Sequence, residues 1–298
     1  MMLKKFLVII IFIPLQLQST FSIVAIDTAT GEVGSAGASC ISNSIIISDI
    51  HPGIGAIHTQ SYWNSNNQDS ASYLMDLGYS PQEIVDWLIN NDAENDPSIR
   101  QYGIISLIDE GSRSAYTGEN CFEYKNHILG PNYVIAGNIL LGQTILDTIE
   151  HAFISTSGNL EDKLIAAIMA ANISGADTRC SPYGTPAISS FIRIAKFDNN
   201  SDSLYLDIDV NNAPLTINPL DSLFILFWDW KVSHFSIGDL NFDRKVDLFD
   251  ILNLADYLNS FVELSNYSLN NADINNSGEV ELTDLYLLIY QISGTLVR

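Results

Sequence analysis

The stretch TFSIVAIDTATGEVGSAGASC, residues 20–40, decides the fold class of this 298-residue chain. Its first eight residues alternate and are rich in β-branched side chains, a turn signal follows at 30–32, and small residues complete the stretch. We therefore predict a β-hairpin that begins at Thr20. The small side chains of its second strand allow another layer to pack closely against it.

Blocks of strand and helix patterns alternate along the chain after this hairpin. Strands are predicted from Gly55, on both sides of a turn at 109–112, over 133–138, and on both sides of a turn at 198–201. Helices are predicted over about 69–77, 81–90, 143–154, 160–173 and 219–232. This order fits a layered α+β domain better than a parallel doubly wound sheet.

The N-terminus predicts a secretory signal peptide over residues 1–19. Lys4 and Lys5 precede the apolar run 6–13, and a polar stretch ends at Ser19. An uncleaved anchor is the alternative, although the run is too short to span a bilayer as a helix. We therefore expect a secreted or cell-surface protein that is not integral to the membrane. The net charge of −22 argues against nucleic acid as a partner.

Two matched twelve-residue loops near the C-terminus carry the strongest chemical signal. They lie within GDLNFDRKVDLFD, 238–250, and ADINNSGEVELTD, 272–284. Alternating side-chain oxygens that end in a carboxylate at position twelve are typical of calcium loops. We predict two Ca²⁺ sites. Their ligands would be Asp239, Asn241, Asp243, Lys245 (through its carbonyl), Asp247 and Asp250 in the first loop, and Asp273, Asn275, Ser277, Glu279, Glu281 and Asp284 in the second.

A helix pattern follows each loop, and none is evident before either. This duplication resembles a type I dockerin over 238–298, after a linker at 233–237. The resemblance implies a small all-α module that binds a cohesin-like protein or an extracellular scaffold. Two features depart from the family pattern. Arg244 stands at loop position six, where glycine is usual. The pairs Leu248-Phe249 and Leu282-Thr283 stand at positions ten and eleven, where the family contacts its partner.

The chemistry of the N-terminal part depends on where the mature chain begins. Cleavage after Ser19 would make Thr20 the first residue. A threonine hydroxyl needs a neighbouring base to act as a nucleophile, and an N-terminal threonine carries one in its α-amine, whose unperturbed pKa is about 7.7–8.0. Thr20 is therefore a candidate nucleophile. The alternative is that it is simply the first residue of a strand.

Together with four later motifs, the hairpin resembles the bacterial family labelled domain of unknown function 1028. The resemblance covers about residues 20–232. The motifs are GIGAIHTQSY (53–62), TGENC (117–121), GPNYVIAGNILLG (130–142) and GADTRC (175–180). The resemblance implies a four-layer αββα sandwich like that of N-terminal nucleophile (Ntn) hydrolases, and it strengthens the case for Thr20. The family's reaction and substrate are not established.

The same resemblance carries over several site positions. They are Thr59, Gln60, Thr117, Gly118, Gly137, Asn138, Asp177 and Arg179. Asn138 could donate to an oxyanion, and Arg179 could lower the proton affinity of the α-amine. A turn asparagine and a surface ion pair of Arg179 with Asp177 are the alternatives. We therefore take Thr20, Asn138, Asp177 and Arg179 as the candidate catalytic residues.

The cysteines Cys40, Cys121 and Cys180 match no metal site. In an exported protein two of them could form a disulfide and leave one thiol over, and the sequence leaves the pairing open. A leftover thiol at Cys121 would compete with Thr20 as the nucleophile.

The leading interpretation is a secreted Ntn-type amidohydrolase or peptidase that a calcium-dependent dockerin-like tail attaches to an extracellular assembly. One alternative is a non-catalytic cell-surface or adhesion module with the same fold. Another is an accessory protein of extracellular polysaccharide degradation. The substrate and the oligomeric state stay open.

Overall fold

The computed structural model describes residues 20–108 and 111–296. The predicted signal peptide and the first half of the predicted turn at 109–112 lie outside these residues. The ten strands of the described chain are β1 Thr20–Asp27, β2 Glu32–Ser39, β3 Ser48–His51, β4 Gly55–Ser61, β5 Arg100–Ser106, β6 Arg113–Thr117, β7 Asn126–Leu129, β8 Tyr133–Asn138, β9 Ser189–Ala195 and β10 Leu206–Val210. Its helices are α1 Ser65–Asp76, α2 Pro81–Asn90, α3 Gln143–Ser155, α4 Leu160–Ala170, α5 Pro219–His234, α6 Leu248–Leu258, α7 Asn266–Ala272 and α8 Leu282–Leu296.

The predicted hairpin forms from β1 and β2, with Phe21 opposite Ala38 and Asp27 opposite Glu32. The Asp27 carboxylate closes the turn, because it accepts hydrogen bonds from the amides of Ala29 and Thr30. Gly31 adopts a φ of 73°, which a glycine tolerates without steric cost. The prediction that the hairpin begins at Thr20 is confirmed.

Two antiparallel sheets make up the larger part of the protein. One has the order β10-β9-β2-β1-β8-β7 and the other the order β3-β4-β5-β6. The two sheets pack face to face. Helices α3, α4 and α5 cover the outer face of the first sheet, and α1 and α2 cover the outer face of the second. The predicted α+β class is confirmed, since the named strand pairs are all antiparallel.

The alternation of β1 decides which side chains enter the layer between the sheets. Phe21 and Ile23 pack in the core beneath the helices, whereas Val24 and Ile26 pack in the core between the sheets. Because side chains of a strand point to opposite faces in turn, Thr20 and Ser22 share the face of Val24. The layer between the sheets is thus apolar at one end and polar at the Thr20 end.

Capping residues determine the first residue of several helices. Ser80, which precedes Pro81, accepts a hydrogen bond from the Glu83 amide, and the Asn159 amide at the start of α4 donates to the Asp162 carboxylate. Helix α1 begins at Ser65, four residues before the predicted start, because the Asn64 side chain accepts a bond from the Asn66 amide. Capping of this kind satisfies amides that lack an intrahelical partner.

Three helices, α6, α7 and α8, enclose a separate small core in the C-terminal part. The expectation that no helix precedes the loops is wrong for the second loop, because α7 ends one residue before Asp273 and is capped by Ser265. Helix α5 runs to His234, inside the predicted linker, and the Phe235 that follows packs against Phe242. Within the described ranges, no helix is both long and apolar enough to cross a membrane.

Candidate functional site

Thr20 stands at the polar end of the layer between the sheets. As the first residue of β1 it pairs with Asn138, the last residue of β8. Its side chain is fully buried, and its hydroxyl has no hydrogen-bond partner in the described part of the chain. A buried polar atom without a partner costs free energy, so its presence requires an explanation.

A hydrogen-bonded group of buried side chains lies next to Thr20. The Ser22 hydroxyl donates to Gln60 Oε1 over 2.7 Å, and Gln60 Nε2 donates to Gln101 Oε1 over 2.7 Å. Asn138 Nδ2 also donates to Gln101 Oε1, over 3.1 Å. Gln101 in turn donates to the Thr117 hydroxyl and to the Gly137 carbonyl. Asn138 is therefore a buried residue at the end of a strand, and the alternative of a turn asparagine is wrong.

His58 extends this group towards the other end of the layer. Its Nδ1 lies 3.0 Å from the Ser22 hydroxyl, and its Nε2 lies 2.6 Å from the Ser35 hydroxyl. Burial and the positive charge of Arg193 lower the pKa of His58 to about 3. A neutral imidazole has one donor and one acceptor nitrogen, which two hydroxyl groups can satisfy.

Asp177 and Arg179 lie at the same end of the six-stranded sheet. Arg179 Nη2 donates to Asp177 Oδ2 over 2.8 Å, and the Asp177 carboxylate is fully buried. That carboxylate also accepts a bond from the Cys40 amide over 2.7 Å, and Arg179 reaches the Ser39 hydroxyl at 3.4 Å. Because the carboxylate has no solvent exposure, the pair is not a surface ion pair. The structure therefore brings all four candidate catalytic residues to one end of the sheet.

The cysteines join this end of the sheet covalently. Cys40 at the end of β2 forms a disulfide with Cys180, and Cys121 is free and buried. The expected pattern of one bridge and one spare thiol is confirmed. Burial raises the pKa of the Cys121 thiol, whose hydrogen donates to the Arg100 carbonyl. A raised pKa lowers the thiolate fraction and therefore opposes nucleophilic use of Cys121.

Several surface cavities of the described residues lie away from Thr20. One of about 630 Å³ is lined by Asp49, His51 and Asp76, and another of about 690 Å³ lies beside Asp273 and Gly278. Thr20 lines neither of them. The Thr20 side chain is closed to solvent in this structure.

The two predicted calcium loops share a pattern of hydrogen bonds from backbone amides to side-chain carboxylates. In each, the carboxylate at position one accepts from the amides of positions five and six, and the carboxylate at position twelve accepts from those of positions three and nine. These bonds join Asp239 to Asp243 and Arg244, Asp250 to Asn241 and Asp247, Asp273 to Ser277 and Gly278, and Asp284 to Asn275 and Glu281. Arg244 takes the left-handed conformation of its counterpart Gly278, with φ values of 72° and 90°. The arginine therefore does not disturb the first loop.

The donor chemistry of the first loop fits calcium. Asp239 and Asp250 are both fully buried, and neither has an ion-pair partner among the residues that the structure covers. Burial and the charge of Asp250 raise the pKa of Asp239 to about 6, and burial also raises that of Asp250. A divalent cation would neutralise both charges. Over the described ranges, no group of three or more Asp, Glu, His or Cys side chains is arranged to hold a metal ion. The predicted ligand set also contains amide, hydroxyl and backbone carbonyl oxygens.

Sequence reasoning missed four members of the buried polar group. Ser22, Ser35, His58 and Gln101 were not identified as site residues, and Gln60 was indicated only by a family motif. Each faces the layer between the sheets, and most other residues on the same strand faces are apolar or small, apart from Gln60 on β4. A polar residue at an inward position of a buried strand is the signal that could have indicated them.

A double-sheet α+β domain followed by a pair of calcium-type loops defines the class of this protein. A model described as "Family of unknown function (DUF1028)" matches residues 20–220, and the chain belongs to this family. A model of the dockerin type I domain matches residues 237–293, so the chain ends in such a domain.

The crystal structure of protein SPO2555 from Silicibacter pomeroyi, assigned to the DUF1028 family, has a similar fold. It aligns with a TM-score of 0.60 at 21% identity, over 76% of this chain and 94% of that one. No curated protein matches the chain.

Proposed function

We propose that this protein is an exported Ntn-type hydrolase that cleaves amide bonds with Thr20. Its dockerin domain, with calcium bound, would attach it to a cohesin-bearing extracellular assembly. The two sheets with their covering helices would then form an Ntn-type αββα sandwich. The proposal rests on one observation, the buried and unpartnered Thr20 hydroxyl at the polar end of the layer between the sheets.

Cleavage after Ser19 would free the α-amine of Thr20 next to its own hydroxyl. The amine would take the hydroxyl proton while Oγ1 attacks the carbonyl carbon of an amide. An ester to Thr20 forms, the substrate amine leaves with the proton, and water then hydrolyses the ester. Asn138 would donate to the oxyanion, with Gln101 orienting its amide group.

The Asp177 and Arg179 pair would position this site. Its opposite charges lie 2.8 Å apart, so Arg179 acts on the amine less than an isolated cation would. The pair instead contacts Ser39 and Cys40, at the end of the strand that neighbours Thr20. We propose that it fixes the place of the mature N-terminus.

Calcium would be held by the twelve residues that the sequence predicts, in two sites. When bound, it would neutralise the buried carboxylates and stabilise the loops that begin α6 and α8. The exposed apolar side chains of Leu248, Phe249 and Leu282 would then face the cohesin partner.

A non-catalytic module with the same fold is the second candidate. The complete burial of Thr20 and the position of the cavities favour it.

Secretion of the full chain followed by intact-mass measurement separates these two candidates. The hydrolase requires a mature chain that begins at Thr20 and reacts with an electrophile that bridges a hydroxyl and an α-amine. Thr20→Ala should abolish this labelling, Thr20→Ser should retain part of it, and Cys121→Ala should leave it unchanged. A mature chain that begins at Phe21 or later would exclude Thr20 as the nucleophile.

A further inference from the structure

Arg244 of the first calcium loop reaches into the DUF1028 domain. Its Nη1 lies 2.5 Å from Glu32 Oε1, and its Nη2 lies 2.5 Å from Glu161 Oε2. Glu32 begins β2 and Glu161 lies in the first turn of α4, and both side chains have at most 3% exposure. Two buried carboxylates from separate elements therefore share one guanidinium, which is supplied by the tail.

The backbone of Arg244 belongs to the calcium loop at the same time. Its amide donates to Asp239 Oδ2 over 2.9 Å, and its φ of 72° lies in the left-handed region. A residue with a Cβ is disfavoured there, and glycine occupies the equivalent place in the second loop. In the first loop, the ion pairs with Glu32 and Glu161 compensate for the free-energy cost of this backbone conformation.

Other contacts continue the interface around Arg244. The Trp228 ring of α5 stacks on Tyr267 of α7, with 4.8 Å between ring centroids, and it packs edge-on against Phe242. Asn159 Nδ2 donates to the Phe242 carbonyl over 3.3 Å. The first loop and α7 therefore pack against the start of α4 and against α5.

We infer that calcium binding in the first loop is coupled to the DUF1028 domain through Arg244, whose amide closes the loop and whose guanidinium clamps it onto Glu32 and Glu161. Calcium favours the loop conformation that presents the guanidinium. Without the metal, Asp239 and Asp250 repel each other and the clamp loosens. This inference rests on the proposed calcium function. By thermodynamic linkage the coupling is reciprocal, so the contacts of Arg244 with Glu32 and Glu161 favour calcium binding in turn.

Hydrogen exchange of the whole mature protein tests the coupling, with residues 27–34 and 159–164 as reporters. In the unaltered protein, calcium should slow exchange of both segments at least tenfold relative to excess chelator. Arg244→Gly should remove this difference while calorimetry still detects calcium, because glycine suits the loop conformation. Arg113→Gln is the matched control, since it removes the same charge from an exposed position outside both calcium loops and should behave like the unaltered protein.

Glu161→Gln gives a second variant on the other side of the contact. It should reproduce the effect of Arg244→Gly, and the double variant should lose no more than either single one. Equal calcium-dependent protection in the unaltered protein and in Arg244→Gly, with calcium bound in both, would overturn the coupling alone. Absence of any calcium binding by calorimetry would overturn the proposed calcium function and the coupling together.

Discussion

His58 Nε2 lies 2.6 Å from the hydroxyl oxygen of Ser35, inside the layer between the two sheets. With its contact to Ser22, the ring joins strands β1, β2 and β4 through polar groups where most neighbouring positions are apolar. Such a ring must stay neutral to remain buried, because a buried charge without a counter-ion is costly. The free energy of unfolding therefore depends on pH through the protonation of His58.

The first prediction concerns stability in mild acid. The pKa of His58 is about 3 in the fold and about 6.5 in the unfolded chain, which therefore binds more protons between these values. The contribution of His58 is complete above pH 6.5 and is lost as the pH falls towards 3. Between pH 6.5 and 4.5, the free energy of unfolding should fall by ~1.4 kcal/mol per pH unit more than in His58→Gln. Denaturant titrations at several pH values measure this free energy. An equal dependence on pH in His58→Gln and in the unaltered protein would contradict the prediction.

A second prediction concerns Gln101, which bonds to Gln60, Asn138 and Thr117. Gln101→Leu should lower the free energy of unfolding by about 3 kcal/mol, because it leaves several buried polar groups without a partner. Asn90→Leu on the exposed face of α2 is the control and should cost less than about 1 kcal/mol, because its side chain bonds only an exposed helix carbonyl. Urea unfolding measures both, and similar losses would show that the buried group does not stabilise the fold.

The disulfide gives a third prediction. Cys40→Ser should destabilise the fold by about 2–5 kcal/mol, because the bridge closes a long loop and holds Cys180 beside the end of β2. A thiol reagent should not label the native protein and should label Cys121 once after unfolding without reductant. Two or more labels under those conditions would mean that the bridge is absent.

A fourth prediction ranks the two calcium loops. The second loop should bind at least as tightly as the first, because Gly278 takes its left-handed conformation with open space around it. By calorimetry, Asp239→Ala should therefore retain the tighter site, and Asp273→Ala should lose it. Retention of the tighter site in Asp273→Ala would reverse the ranking. Chelator should lower the helix content seen by circular dichroism in the unaltered protein.

Features set by local sequence were predictable. The β1 and β2 hairpin follows from alternation and a turn signal, and the starts of α2 and α4 follow from Ser80 and Asn159. The spacing of the calcium loops likewise indicated the residues that the fold brings together. In each case the residues that determine the feature lie within about one turn or one loop of each other.

Features set by distant residues were not predictable. Gln101 meets Gln60 and Asn138 only because three strands from two sheets converge, and none of them has a distinctive neighbour in sequence. Helix α7 has few apolar residues and owes its start to the Ser265 cap. The partners of Arg244 lie 83 and 212 residues away, so no local pattern indicates them.

Arg244 also limits how freely the tail could be exchanged between proteins. A tail transplanted onto another protein would keep an arginine in a strained backbone position and lose both of its acceptors. A foreign tail with the usual glycine, grafted here, would leave Glu32 and Glu161 as buried carboxylates without their counter-ion. The two parts of this chain are therefore a matched pair, and chimeras of either kind should be less stable than their parents.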